Sequence, residues 1–500
     1  MQAHAFPGNT VDLLVVGGGV NGAGIARDAA GRGLTVILAE KDDLASATSS
    51  WSSKLIHGGL RYLEHFEFRL VAEALAEREV LLAIARHLVW PARFVMPHVP
   101  ELRPRWMIRA GLFLYDNLGR FGAALASQGR ELPGSRSVRL DRPPLNAGLK
   151  PQFRHGFEYS DCRVDDARLV VANAVSAREL GAEVLTRTEC VSAERRDGLW
   201  QIALSNGRRV RARAIVNAAG PWVKQVLNER LGQPSQDAVR LVKGSHIVLP
   251  QLYEGEHAFL LQNDDRRVVF MIPYEERYTL VGTTDEPVTE AARPAATAQE
   301  VDYLCRAVNR YLARPVNPQQ LVWCYAGVRP LYDDGSSDPS AVTRDYTLRL
   351  DDGPDVAPVL SVFGGKITTY RRLAEQALEK LARHFPGMKR AWTMIAPLPG
   401  SDFGADGRAA AREQLFARHP RIERETLRGI FRRHGTRAAE VIGDGDLGEH
   451  FGAGLHEREV NYLVEREWAR SAEDVLWRRT KTGLHMTAAQ RARVAARLGA

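Results

Sequence analysis

Residues 11–40, VDLLVVGGGVNGAGIARDAAGRGLTVILAE, constrain the fold more than any other stretch of this chain. Residues 12–16 are an apolar run of strand type, and residues 17–22 then spell G-x-G-x-x-G. An alanine-rich helix is predicted over residues 22–32, with Gly33 suited to its left-handed C-cap. Residues 35–39 read as a second strand that ends at Glu40. This is a βαβ unit with the dinucleotide fingerprint in its proper context. Gly17 permits the tight turn, Gly19 lets the backbone approach a pyrophosphate, and Gly22 lets helix and strand pack closely. Val20 and Asn21 open the helix, whose free N–H groups and positive dipole end face the phosphates. Glu40, eighteen residues after Gly22, is placed to bond ribose hydroxyls. A bound dinucleotide is expected.

At 500 residues the chain is too long for one small core, and two or three domains are expected. No run approaches the ~18 consecutive apolar residues of a transmembrane helix. The opening MQAHAFPGNT lacks the apolar centre of a signal peptide. Cys162, Cys190, Cys305 and Cys324 show neither C-x-x-C nor disulfide-framework spacing, which suits a reducing cytosol and argues against a structural metal. The formal charge of +8 favours anionic partners: phosphorylated substrates, acidic lipid or nucleic acid. No aromatic-interleaved basic run or recognised motif supports nucleic acid.

Directly after Glu40, residues 44–64 (LASATSSWSSKLIHGGLRYLE) are dense in Ser, Thr and Gly, as in a loop that wraps a long cofactor. Leu55, Ile56, Tyr62 and Leu63 are too apolar for a plain surface loop. Residues 66–88 carry helical periodicity, and the proline-rich residues 91–104 break it. Residues 106–118, WMIRAGLFLYDNL, form an unusually apolar helix with Arg93, Arg103, Arg105, Arg109 and Arg120 in or around it. Two readings stand open: a core helix, or an interfacial helix dressed for anionic lipid.

A second α/β portion begins near Val164, with a helix over residues 167–180 capped by Gly181 and a strand over 183–192. Residues 200–212 read as a hairpin on Asn206-Gly207, the preferred type I′ pair, and 214–216 as a buried strand. Strands over 245–249, 268–272 and 279–283 predict an antiparallel sheet. Residues 358–363 form another apolar strand, and Gly364-Gly365-Lys366-Ile367-Thr368-Thr369 leads into a helix to about His384. Beyond Pro397-Leu398-Pro399-Gly400 the chain is Arg- and Glu-rich and helical, with no strand-like run. The expected organisation is an oxidoreductase region, 1–396, followed by a helical domain, 397–500. Within the first, nucleotide-binding pieces (about 11–60, 160–240 and 358–385) alternate with substrate- or membrane-facing pieces (about 65–160 and 241–357). A nicotinamide domain is usually contiguous, whereas a flavin domain split by a substrate domain has this arrangement.

GGGVNGAGIARDAAGRG, SSKLIHGGLRYLE, FEYSDCRVDDARL, NAAGPW, KGSHIV, VGTTD, GVRPL, TRDY and SVFGGKITTYRRLAE form an ordered set over residues 11–375. The set resembles the flavin-dependent, respiratory-chain glycerol-3-phosphate dehydrogenases of bacteria. EDVLWRRTKTGL is similar to that family's C-terminal helical domain, and NAAG stands where NATG is common. The resemblance implies noncovalent FAD in a discontinuous Rossmann-like domain of the D-amino-acid-oxidase-like kind, beside an antiparallel-sheet substrate domain. It implies oxidation of sn-glycerol 3-phosphate to dihydroxyacetone phosphate, with electrons passed to a quinone. It also implies a homodimer bound peripherally to the anionic cytoplasmic face of the inner membrane. Cofactor contacts are implied for Gly17, Gly19, Val20, Asn21, Gly22, Glu40, Thr48, Ser49, Ser50, Lys54, Leu55, His57, Gly58, Gly59, Val191, Ala218, Gly220, Gly365, Lys366, Ile367 and Thr368.

Oxidising a secondary alcohol removes a hydride from carbon and a proton from oxygen. The hydride needs a cofactor, and the proton a base with a pKa near working pH, most often histidine. His246, in KGSHIV, matches the family's active-site histidine; His57 stands beside the cofactor loop. A phosphate dianion needs forked or paired cations. Arg61, Arg329 and Lys366 sit among glycines and apolar residues and match substrate-site positions, as do Tyr62 and Arg344. Lys366 has two expected roles: binding substrate, and stabilising the anionic reduced flavin from a helix N-terminus. The rival readings are an oxidase of the same family, an NAD-dependent dehydrogenase, and a non-enzymatic basic membrane- or nucleic-acid-binding module.

Overall fold

The computed structural model describes residues 10–125, 132–235, 237, 239–265, 267–333, 345–354, 356–404 and 406–499. Strand Thr10–Val16 runs parallel between Val36–Ala39 and Arg209–Asn217. Glu183–Leu185 extends the parallel order on one side and Val356–Phe363 on the other. Thr347–Gly353 closes one edge antiparallel, and the hairpin Cys190–Arg196 with Leu199–Leu204 branches from Arg209–Asn217. Leu13, Leu14 and Val15 are all fully buried, which is why the first strand reads as a continuous apolar run. Helix Val20–Gly31 packs against helices Asp166–Glu179 and Tyr370–Leu381. The close fit needs its glycines: a Cβ on Gly22 would stand 1.9 Å from the Gly17 carbonyl oxygen.

Two local expectations are corrected. The strand expected over 183–192 is two strands, because the backbone turns at Arg187 (φ 51). The N–H groups of Arg187 and Thr188 there donate to the carbonyls of Asp42 and Glu40. The hairpin on Asn206-Gly207 closes at Leu204 and Arg208 through a three-residue loop, with Gly207 at φ 83, in place of the two-residue type I′ turn.

The second sheet is mixed and mostly antiparallel, in the order Glu286–Val288, Val239–Pro250, Tyr278–Gly282, Val268–Tyr274, Ala258–Gln262, Val89–Pro97, His155–Val164, Leu55–Ile56. Trp323–Tyr332 pairs along the length of Val239–Pro250. Helix Phe68–Ile84 ends before the proline-rich stretch, as expected, and a nine-residue strand, Val89–Pro97, follows it. Pro91 is tolerated because the neighbour on its far side, Ala258–Gln262, engages only Phe94 and Val95. Behind the sheet lies helix Ala298–Asn309, opened by a reciprocal Thr297/Glu300 cap.

Helix Arg105–Leu125 has two faces. Ile108, Leu112 and Tyr115 are buried against the second sheet, while Trp106 and Phe113 are 72% and 64% exposed. Most of the surrounding cations are committed to the protein: Arg93 pairs with Glu158, Arg103 with Glu64, and Arg109 donates to Ser135. Arg105 is exposed, and the Arg120 side chain lies outside the described residues.

The C-terminal domain packs helices Gly407–Arg418, Arg424–His434, Glu457–Glu467 and Ala488–Arg497. Contrary to the all-helical expectation it also contains a small ladder, His450–Gly452 with Leu455–His456, turned by Gly452 and Gly454 at positive φ. The domain is held to the first by buried ion pairs. Asp43 receives Arg478 and Arg479, Arg168 meets Glu467, and Lys481 meets Asp165. Among the described residues no helix is long and apolar enough to cross a membrane, and no cluster of His, Cys, Asp and Glu could hold a metal ion.

Candidate active site

A cleft of about 200 Å³ opens at the ends of the parallel strands. Gly17, Gly19, Glu40, Thr48, Ser49, Ala218 and Gly220 are among its walls. Glu40 accepts from the N–H groups of Gly18 (2.6 Å) and Asp42 (2.8 Å), which holds its carboxylate beside the glycine turn. Burial pushes its pKa up, against the pull of those two donors. The Val20 N–H, at the helix start, donates to Ser49 Oγ (3.0 Å). A Cβ on Gly19 would meet only Ser49 Oγ, at 3.2 Å, so this turn is open to an approaching ligand. Asn21 donates to the Gly364 carbonyl (3.3 Å), and its buried Oδ1 has no hydrogen-bond partner among the described residues. Open glycine, helix N–H groups, acid and orphaned amide oxygen fit a flavin dinucleotide.

The loop after Glu40 crosses from this cleft to the second sheet. Thr48 Oγ1 donates to the Val328 carbonyl (2.6 Å), and Ser53 Oγ lies 2.9 Å from His246 Nε2. His246 is buried and stacks on Tyr325, with ring centroids 4.8 Å apart. Opposite it, Gly282 leaves room for the imidazole: a Cβ there would come within 2.0 Å of His246 Cδ2. His246 Nδ1 has no partner among the described residues. Burial, with Lys54 and Arg329 nearby, pushes its pKa down to about 3, so the ring is neutral across the working range. The expectation of a base titrating near working pH is corrected for the free protein. Two low-lying cations and a dry surround favour the uncharged form.

Arg329 stands on the strand beside His246 and crosses over Gly244, where a Cβ would be 3.1 Å from its Nη2. It donates to the Thr284 carbonyl (3.0 Å) and pairs with Asp285. Arg61 is half-buried and makes no ion pair or hydrogen bond among the described residues. Lys366 Nζ lies 4.1 Å from the centroid of the Tyr62 ring, so these two expected residues meet. The following helix starts at Tyr370, four residues beyond Lys366, and so does not place the lysine at its N-terminus. Gly365, at φ 104, sits against Asn21: a Cβ would be 2.7 Å from Asn21 Nδ2. Thr368 Oγ1 accepts from the His57 N–H (3.3 Å), tying the 364–369 turn to the Gly58–Gly59 turn. His57 packs edge-on to Phe270, which is paired with Gly282 across the sheet.

Other residues of the expected cofactor set are tied into the protein by their side chains. Lys54 is buried with its ammonium on Asp166 (2.9 and 3.0 Å) and the Ser50 carbonyl (2.9 Å). Leu55 belongs to the core under the second sheet, and Ile367 packs on the core of the first. Val191 is exposed, beside cleft-lining Cys190. Arg344 lies outside the described residues. Ser53, Tyr325 and Asp285 were not foreseen.

Two family models match the chain: FAD dependent oxidoreductase over residues 12–371, and the C-terminal domain of alpha-glycerophosphate oxidase over residues 391–498. The chain is 55% identical over 505 residues to a glycerol-3-phosphate dehydrogenase of Pseudomonas aeruginosa, covering 99% of this chain and 96% of that one. It is 52% identical over 494 residues to a D-erythritol 1-phosphate dehydrogenase of Brucella abortus, covering 97% and 96%. The solved glycerol-3-phosphate dehydrogenase from Bacillus halodurans, complexed with FAD, shares the fold with a TM-score of 0.73 at 24% identity, over 98% of this chain and 94% of that one.

Proposed function

We propose that this chain, which belongs to the FAD dependent oxidoreductases, oxidises sn-glycerol 3-phosphate to dihydroxyacetone phosphate, as the name of its 55% identical Pseudomonas relative suggests, and passes the electrons to a membrane quinone. The observation that carries the reaction is the convergence of His246 and Arg329 on one face of the second sheet, joined by Ser53 to the cofactor loop. FAD supplies the acceptor for the hydride that leaves the alcohol carbon.

The protein's own groups do the rest. Gly17, Gly19 and the helix start would hold the pyrophosphate, and Glu40 the ribose. Arg329, oriented by Asp285 and the Thr284 carbonyl, presents a fixed guanidinium to the phosphate, and Arg61 adds an uncommitted one. With its proton on Nε2, His246 donates to Ser53 and leaves the Nδ1 lone pair to take the proton of the substrate hydroxyl. Lys366 places positive charge over Tyr62, where it can offset charge developing on the reduced cofactor or on the substrate.

The Brucella relative favours a second reading, D-erythritol 1-phosphate, one carbon longer and carrying the same phosphate. Dye-linked oxidation measured side by side on glycerol 3-phosphate, erythritol 1-phosphate and glycerol tests both. Turnover of the first above the second supports the proposal, and the reverse order replaces it. Oxygen consumption without dye would mark an oxidase.

The quinone reading needs a lipid-facing surface, and the exposed face of helix Arg105–Leu125 supports it. Trp106, Met107 and Phe113 are exposed there, as are Phe66 and Phe68, the latter opening helix Phe68–Ile84, close in sequence to Glu64, which pairs with Arg103. Such a surface suits peripheral attachment at the cytoplasmic face of the inner membrane, with a homodimer as part of the same proposal.

A further inference from the structure

His246 lies on the middle strand of three, with Tyr325 as its partner on one side and Gly282 on the other. The hydrogen bond between Ser53 Oγ and Nε2 (2.9 Å) fixes one point of the imidazole. One point leaves the ring able to turn about its Cβ–Cγ bond, a torsion with broad minima. Nδ1 has no partner among the described residues, so its aim follows from the plane of the ring. Tyr325 sets that plane: its ring lies at 16° to the imidazole, with centroids 4.8 Å apart. Gly282, without a side chain on the opposite edge, leaves the imidazole room to lie there.

Tyr325 is held in turn by the cofactor loop. Four consecutive loop residues touch it or the histidine. Trp51 packs on its ring at 5.5 Å, and the Ser52 carbonyl accepts from its hydroxyl (2.8 Å). Ser53 meets His246, and the Lys54 ammonium stands 5.0 Å from the Tyr325 centroid. Trp323, two residues back on the same strand, packs on the ring at 5.1 Å. Ser52 Oγ (2.8 Å) and the Lys54 ammonium (2.9 Å) both meet Asp166, which opens helix Asp166–Glu179. Tyr325 is 5% exposed, and so presents a fixed face to the imidazole.

We propose that Tyr325 is a positioning residue for the base: stacked on His246 and anchored to the loop by its hydroxyl, it fixes the direction in which Nδ1 meets the substrate hydroxyl. The proposal rests on the reading of His246 as the base. A base must be aimed as well as near, and an ångström of misplacement costs on the order of 10²-fold.

The test is a double-mutant cycle on the FAD-loaded enzyme, read by dye-linked turnover of glycerol 3-phosphate. Tyr325→Leu should lower kcat by about 10²-fold, the cost of a misaimed group. Tyr325→Phe keeps the stack and loses the anchor, and should lower kcat by roughly three- to tenfold, the scale of one hydrogen bond. KM should hold in both, as for an interaction that matters only in the transition state. Placed on His246→Asn, Tyr325→Leu should cost no more than about twofold further, because the ring acts only through the imidazole. In the histidine Cε1–H NMR spectrum, the ring-current-shifted signal that His246→Asn removes should persist in Tyr325→Phe and lose its shift in Tyr325→Leu. Unchanged kcat in Tyr325→Leu, or a loss that multiplies with that of His246→Asn, would overturn the role and make Tyr325 a core residue. A His246→Asn enzyme that keeps its rate would overturn the base, and the role with it, while the NMR shift still reports the stack. If Tyr325→Leu loses flavin, Tyr325→Phe on His246→Asn decides by the same criterion.

Discussion

Ser53 Oγ lies 2.9 Å from His246 Nε2, so a residue of the cofactor loop holds the imidazole of the substrate sheet by one nitrogen. In the proposed mechanism the other, Nδ1, acts as the base. His246→Asn should retain FAD and lower kcat by about 10²–10⁴, the range for removing a general base. Because the imidazole pKa in the free protein is pushed down to about 3, kcat/KM should show no histidine limb between pH 5 and 8. A bound phosphate dianion favours the protonated ring, so the acid limb of kcat should sit above that of kcat/KM. Stopped-flow and steady-state pH profiles of both enzymes check this. A wild-type kcat/KM limb near pH 6.5 that survives in the variant places the base elsewhere, with His57 next to test.

Arg329 is fixed by Asp285 and the Thr284 carbonyl, and so forms a rigid anion receptor at little ordering cost. Arg329→Leu should weaken glycerol 3-phosphate by about 2–5 kcal/mol in kcat/KM, the scale for removing one partner of a desolvated charge pair. Uncharged glycerol should be affected far less. Equal losses on both would make Arg329 a structural residue that holds Asp285.

Gly19 and Gly22 separate cofactor approach from folding. A Cβ on Gly19 meets only Ser49 Oγ at 3.2 Å, whereas one on Gly22 would strike the Gly17 carbonyl oxygen at 1.9 Å. Gly19→Val should give a folded, colourless, inactive protein, and Gly22→Val a poorly folded one. Flavin absorbance read with circular dichroism separates the two outcomes, and full flavin in Gly19→Val would refute the pyrophosphate site.

Local patterns were legible in the sequence, and tertiary commitments were not. The glycine turn, Glu40 and the strand bearing His246 are set by spacing within a few residues, so they could be read directly. The loop position of Lys54 could be read, but not the pairing of its ammonium with Asp166, 112 residues away. Arg329 could be read as a phosphate cation, but not its pairing with Asp285. The arginines around helix Arg105–Leu125 looked like a lipid-facing ring, and three of them are spent on Glu158, Glu64 and Ser135. No periodicity encodes such partners, because charged side chains choose them in space.

Asp43, three residues after Glu40, carries the C-terminal domain on two guanidiniums, with Arg479 at 2.5 and 2.8 Å and Arg478 at 2.7 Å. Asp43→Ala leaves both cations buried and should cost about 3–5 kcal/mol, the scale for breaking a buried pair. The cofactor loop should loosen with it, so FAD should leave at lower urea than in the wild type. Flavin release that tracks the wild type would detach the C-terminal domain from cofactor retention.

Acid should destabilise the protein in two stages. Burial first, then nearby cations, keep His87 and His246 neutral with pKa values below 6.5, so their contribution is complete above pH 6.5 and falls as pH drops below it. Burial alone would raise the pKa of Asp474, but the Arg470 N–H and the charges of Arg478 and Arg187 bring it to about 2. Its contribution is present above 3.8 and lost as pH falls toward 2. Urea midpoints across pH 2–8 check both stages. His246→Asn should shrink only the first.

The last prediction concerns the membrane. The quinone proposed as acceptor stays in the bilayer, so the proposal requires a lipid-facing surface on the protein. Helix Arg105–Leu125 offers Trp106 and Phe113, seven residues apart on its outer face, while Leu112 is wholly buried and Tyr115 donates to Asp161 at 2.8 Å. Serine at Leu112 would therefore probe the core, and serine at Trp106 and Phe113 together probes the surface. With Arg93, Arg103 and Arg109 committed inside the protein, apolar burial should dominate over attraction to anionic headgroups, at about 1 kcal/mol for each free cation. High salt should release a minor fraction of the protein from anionic vesicles and detergent the rest. Trp106→Ser with Phe113→Ser should abolish vesicle sedimentation and quinone reduction while sparing dye-linked turnover. Leu112→Ser should instead lower stability by about 2–5 kcal/mol, the range for large-to-small core changes. Unchanged vesicle binding by the double variant would move the lipid-facing surface away from this helix.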